Sequence, residues 1–361
     1  MRWATRNPTI PTCKARPDSR YSSAPNKRCT LATHSMKSIY SIGEVEQLVK
    51  QGHSLVIAGE EEYLRLLSPG NWIGAVANRY LGTGADEIEP GMLFAFDLSE
   101  HLLTSRVCVY QSFNLDGLQR DCYGHGFSVV LMPAFSEVHR FYGIYSATLG
   151  YRYLNPVIGW VAGANLGTAD MLEPLVIDGL TGRIYPDRAV VLHCLLKSDI
   201  DAKMQVINIF EPGDGDSMVF PEASFIARSC YVNGKLANLV DYWHEVDPNP
   251  QLPLVASIGG ALVNVMPLQP VGHNSITMCS ALIPGVEYRF AKPPEQMAAQ
   301  LHRRVNELAE NTILLTCCEL LRPYLNSSTL QRTDLQAIYA PGEIAYSLQN
   351  FTMVGLSLHQ R

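Results

Sequence analysis

Apolar residues along most of this chain gather in short runs of strand length, and helical spacing is the exception. The first ordered pattern is a helix through Lys50. Ser41 stands at its N-cap, Glu44 completes a capping box, and Ile42, Val45, Leu48 and Val49 share one face. A strand at His53–Ala58 and a helix at Glu60–Leu67 follow, stopped by Ser68-Pro-Gly70. Strands are then predicted at Trp72–Ala77, Met92–Phe96, Arg106–Tyr110 and Phe127–Leu131, before a helix at Ser136–Tyr145. The middle reads as strands at Pro156–Ala162, Leu175–Asp178, Ala189–Leu196, Met204–Phe210 and Ala223–Val232. Asn233-Gly234 predicts a tight turn, and Leu236–Glu245 a helix. Further strands at Leu254–Ser257, Ala261–Pro267, Ser275–Ala281 and Glu287–Ala291 lead to a helix at Glu295–Ala309, opened by Pro293-Pro294. The apolar run Thr312–Leu321, a segment Pro341–Leu348 with a short helix after Glu343, and a strand Thr352–Leu358 close the chain.

Strands outnumber helices and no long βαβ alternation occurs, so the expected class is α+β. Strand-rich mixed sheets with flanking helices would form two fused lobes, 36–222 and 223–361. Residues 1–35 lie outside this pattern. They have no apolar periodicity and carry seven basic residues against one acid, so they are expected to be disordered. A basic targeting peptide and an upstream extension ahead of Met36 are the two readings of that segment, and the abrupt onset of organised sequence after Met36 favours the second.

Charge narrows the partners. The chain is −6 overall; with the +6 of residues 1–35 removed, the body stands at −12. That opposes general nucleic-acid binding, which needs basic surface to neutralise phosphates. No apolar run is long enough for a bilayer-spanning helix. The nine cysteines are odd in number, include no CxxC pair and mostly sit in apolar segments such as Arg106–Tyr110 and Ala189–Leu196. Reduced thiols in a cytoplasmic protein are expected, rather than disulfides or a structural zinc site.

Two distant segments carry a resemblance. Asn155–Gly167 (NPVIGWVAGANLG), continued by Glu173–Leu196, is similar to the N-terminal FIST domain. Ala340–Leu358, with Gly342-Glu343-Ile344 and Asn350-x-Thr352, resembles the closing signature of the C-terminal FIST domain. The whole body from Met36, through Gly70–Gly74, Phe210–Glu222, Cys230–Lys235 and Gly285–Ala291, looks like an uncharacterised bacterial family related to FIST proteins. The resemblance implies a small-ligand sensor that signals through a separate protein partner. Because some FIST proteins bind haem, it also brings haem in as a candidate cofactor.

The residues expected to meet a ligand are Trp72 in the GNWIG turn, Trp160, Gly163 and Asn165 in the Gly-rich segment, Cys318, and Glu343 and Asn350 in the closing segment. Glycines there would let backbone approach a ligand, with tryptophans as apolar walls. Cys317 or Cys318 offers a second reading, a thiol nucleophile served by a spatially adjacent histidine, with His193 and His125 as candidates. Either thiol or histidine could also serve haem. The acidic turn Glu211–Asp216 lacks a terminal Glu at the spacing of a calcium loop and reads as a solvated turn. The chain contains no GxSxG, HExxH, Walker or GxGxxG signature, so an enzyme is the lesser expectation.

Overall fold

The computed structural model describes residues 37–82, 87–146, 155–163, 172–268, 274–325, 332 and 335–361. Asn165 and the segment 1–35, expected to be disordered, lie outside the described residues. The class is α+β: strands dominate, in several mixed sheets with few helices, as the short apolar runs imply. Among the described residues no helix is long and apolar enough to cross a membrane.

Four sheets of five or six strands build the body, and Ser224–Ala227 pairs with Ile276–Leu282 in a further two-stranded sheet. Sheet I runs Ile39–Ser41, Met92–Asp97, Leu55–Gly59, Trp72–Val76, Val176–Asp178, Arg183–Tyr185 in spatial order. Sheet II runs Ser347–Gln349, Glu343–Ala345, Val157–Ala162, Gly126–Pro133, Ala189–Leu196, Leu102–Tyr110. In sheet III, Met353–Gln360 lies between Ile200–Ile207 and Thr312–Cys318, with Ala337–Ala340 and Tyr80–Leu81 beyond. Sheet IV is drawn from residues 218–290. Sheets II and III therefore each join strands from both sides of residue 222, and residues 35–361 form one compact unit.

The largest core lies among the first three sheets, where Val56 and Ile73 meet Val129, Trp160 and Leu192, and these meet Leu314, Val354 and Leu356. Burying each such aliphatic side chain stabilises the fold by roughly 1.5–3 kcal/mol. Residues of the strand Val157–Ala162 alternate between that core (Ile158, Trp160, Ala162) and a second one (Val157, Val161) under the helix Glu137–Tyr145. A strand coated on both faces must be apolar throughout, which is why VIGWVA reads as a continuous run.

Local chemistry set several elements as expected. Ser41 caps Ile42–Lys50 with the full capping box, and Ser136 caps Glu137–Tyr145 by accepting from the His139 amide. Asn233 and Gly234 take positive φ and join Ser229–Val232 to Lys235–Asn238 in a two-residue hairpin. That hairpin displaces the start of the helix expected from Leu236. Lys235–Asn238 is spent as the return strand, and Asn238 then caps a helix Leu239–Val246 by accepting from the Val240 and Asp241 amides. A larger departure falls on Glu343. No helix follows it; Glu343–Ala345 and Ser347–Gln349 form a β-hairpin turned at Tyr346, whose φ is 59°.

Candidate functional site

The Gly-rich and closing segments meet as neighbouring strands. Glu343 pairs with Trp160 and Ile344 with Gly159, and the Val161 amide donates to the Gly342 carbonyl (2.9 Å). Directly opposed residues of an antiparallel pair project to the same face. Glu343 therefore stands beside Trp160 where sheet II packs against sheet III. From just ahead of the last strand of sheet III, the Thr352 hydroxyl donates to Glu343 Oε2 (2.7 Å), and the Cys318 thiol hydrogen-bonds the same carboxyl. Burial pushes the Glu343 carboxyl well above the usual carboxylate range, and those hydrogen bonds offset only part of the shift. Burial thus favours its protonated, neutral form. Capping a helix is accordingly not its role: it is wholly buried in a strand.

Three buried polar atoms at this junction have no hydrogen-bond partner: Glu343 Oε1, Trp160 Nε1 and Asn350 Oδ1. Asn350 spends its side-chain amide on the Gln349 carbonyl (3.0 Å), while its backbone carbonyl accepts from Asn264 Nδ2 (3.1 Å). The backbone is strained nearby. Phe135, Tyr346 and Phe351 all adopt left-handed φ, of 56°, 59° and 54°, which costs a bulky L-residue about 1–2 kcal/mol. Yet the cavity lined by Phe135, His139, Val161, Gly342, Gln349 and Asn350 holds only about 10 Å³, room for about one water. The segments come together, and the space between them is filled.

The other expected residues are placed as follows. Trp72 is buried in a separate core under the helix Ile42–Lys50, with its indole donating to the Ser68 carbonyl (3.0 Å). Gly163, at φ 117°, donates its amide to the Val76 carbonyl (3.1 Å) and ties sheet II to sheet I. Cys317 and Cys318 are fully buried; burial, with the Glu343 carboxyl in second place, pushes both thiols well up. Neither thiol has an imidazole partner among the described residues. His193 is a core histidine with both ring nitrogens engaged, Nε2 by the Tyr110 hydroxyl (2.9 Å) and Nδ1 by Ser128 Oγ (2.8 Å). Burial lowers its pKa to about 4, so it is neutral. His125 lies by the Lys197 carbonyl (3.3 Å) and Arg361 (3.2 Å). Around the acidic turn, Asp216 accepts from Asn233 Nδ2 and the Tyr242 hydroxyl, and Glu211 pairs with Lys292. Among the described residues no group of His, Cys, Asp or Glu is placed to hold a metal ion.

A site with space lies elsewhere and carries no motif. Sheet I sets Leu55 opposite Asp97, which brings His53, just ahead of its strand, against Asp97 at the end of the neighbouring one. His53 Nδ1 donates to Asp97 Oδ2 (2.6 Å), while Oδ1 accepts from the Ser99 amide (3.0 Å) and hydroxyl (2.6 Å). Ser99 Oγ in turn accepts from the Ser54 amide (2.8 Å). An acidic partner on Nδ1 keeps a proton on that nitrogen, and in the neutral imidazole this leaves Nε2 as the acceptor. That atom has no partner among the described residues, and the ring lines a cleft of about 440 Å³ shared with Tyr40, Phe96, Glu100 and His101. His101 is pushed down by burial and stays neutral. Only the Asp97-Leu98-Ser99 turn had a local signal, an Asp two residues before the amide it binds. His53 is 44 residues away in sequence, and nothing in the chain pairs it with Asp97 before folding.

A family of unknown function, DUF6976, matches residues 40–359. The chain belongs to this family. The match spans all four sheets, both the Glu343 junction and the His53 cleft, and it carries no link to FIST domains. A search of curated proteins finds no match.

Proposed function

We propose that this member of the family is a small-ligand-binding protein, and that its ligand enters the cleft beside His53 and Asp97. One observation carries the reading. A histidine held through Nδ1 by a fully engaged carboxylate, with no partner for Nε2 among the described residues, lines a cleft of about 440 Å³, within the range of small-molecule sites. The second ligand-sized concavity, about 390 Å³ near Phe220–Ser229, offers Glu222 and Arg228 but no comparable pre-oriented group. The FIST likeness of the Gly-rich and closing segments supports a sensory role in which a separate protein reads the bound state. Cytoplasmic placement is supported by the seven described cysteines, all of them free thiols. In this reading the Glu343 junction is the polar link between sheets II and III, not the ligand's seat.

The test is native mass spectrometry of the protein isolated from its own cell extract. A co-travelling mass is expected on the parent chain and on Glu343→Gln. It should be lost from Asp97→Asn and His53→Gln, because removing one charge-assisted contact weakens binding by about tenfold or more. A mass retained by both cleft variants would place the ligand elsewhere.

A further inference from the structure

The chemistry around the cleft selects among ligands. Asp97 and Glu100 line it, and Glu44 stands at its rim holding Lys37. Against these three carboxylates are two ammonium groups, Lys37 and Lys197; the latter donates to the Glu100 carbonyl. Three carboxylates against two ammonium groups leave these side chains negative, so an anionic ligand meets net repulsion. The cleft also already holds an ammonium at its edge: Lys37 Nζ lies over the Tyr40 ring, 4.9 Å from its centroid, while paired with Glu44. An aromatic face beside carboxylates is a cation-binding arrangement. The free Nε2 of His53 adds an acceptor, and a primary ammonium brings three donors and no acceptor.

We propose that the cleft between His53, Asp97 and Tyr40 binds a small organic ammonium ion, a primary amine or short diamine. The proposal rests on the reading of this cleft as the ligand site. The ammonium donates to His53 Nε2, its charge is balanced by Asp97 and Glu100, and its alkyl chain lies along Tyr40 and Phe96. Phe96 is buried in the main core, which gives that wall a rigid base.

Isothermal titration calorimetry of the full chain near neutral pH tests this with four probes: butylamine, 1,4-diaminobutane, 1-butanol and butyrate. The two amines should bind saturably, about tenfold or more tighter than the alcohol, with butyrate weakest. Asp97→Asn should weaken amine binding by about tenfold, and His53→Gln should also reduce it. Thermal melts of both variants check that they fold, and perturbation of the His53 ring resonances by butylamine in the parent chain gives a readout that needs no variant. Amine binding no tighter than that of 1-butanol, or no binding of either amine, overturns the ammonium assignment. Binding of 1-butanol or butyrate that His53→Gln abolishes overturns it too, while leaving the cleft as the ligand site. Amine binding untouched in both folded variants, with His53 resonances unmoved, overturns the cleft itself.

Discussion

Glu343 keeps its proton because a carboxylate with one oxygen unpaired in the core would cost several kcal/mol to desolvate. That has a consequence for stability. The unfolded chain loses this proton near the ordinary carboxyl pKa, whereas the folded chain holds it to much higher pH. The contribution of Glu343 is therefore full below the unfolded pKa. It declines as pH rises, by up to about 1.4 kcal/mol per pH unit, until the folded carboxyl ionises. Glu343→Gln has no proton to lose. The difference in unfolding free energy between variant and parent, measured in urea, should move in the variant's favour between about pH 5 and pH 8. A difference constant across that range would mean that Glu343 titrates as an ordinary surface carboxyl. The two neighbouring thiols follow the same electrostatics. Iodoacetamide applied to the native protein should label the partly exposed Cys122 well before Cys317 and Cys318, as mapped by peptide mass spectrometry. Early labelling of Cys317 or Cys318 would return the thiol-nucleophile reading to contention.

At the scale of elements, glycine means something different in this fold from what its spacing suggests. Gly159 was read as a place where backbone could approach a ligand. In sheet II it is where backbone approaches backbone: a Cβ there would lie 1.8 Å from the Val130 carbonyl oxygen, at a φ of 157°. Gly159→Ala should therefore destabilise the protein by about 3 kcal/mol or prevent its folding, with loss of the cooperative thermal transition as the readout. A melting temperature within about 2 °C of the parent would show that the strand pair can open at no cost. The same scale explains which helix limits were legible. Ser41 acts through a bond to the amide three residues on, local chemistry that is written in the sequence, whereas the cap at Asn238 was hidden behind the return strand Lys235–Asn238. The hairpin at Glu343–Gln349 was missed because its apolar pattern fits a short helix equally well. The choice fell to the edge of Val157–Ala162, which offered Glu343–Ala345 a row of unpaired backbone groups.

For the whole molecule, the last strand is a keystone. Met353–Gln360 pairs along its length with Ile200–Ile207 on one side and with Thr312–Cys318 on the other. It also contributes Val354, Leu356 and Leu358 to the main core. Removing residues 353–361 strips sheet III of its connecting strand and exposes two long edges, so the truncated chain should be insoluble or lack a cooperative melt. A soluble, cooperatively melting product would show that the sheets fold independently.

By itself the sequence determined what depends on near neighbours. The α+β class follows from the length of apolar runs, the Ser41 capping box and the Asn233-Gly234 turn from residue types at fixed spacing, and the acidic body from composition. That the Gly-rich and closing segments come together was also expected from the sequence, and they pair as neighbouring strands. Tertiary structure alone decided whether that approach left a cavity, because close-packing of Val161, His139 and Asn350 depends on side chains from three remote segments. It alone joined His53 to Asp97, since sheet register, not sequence distance, sets which side chains share a cleft.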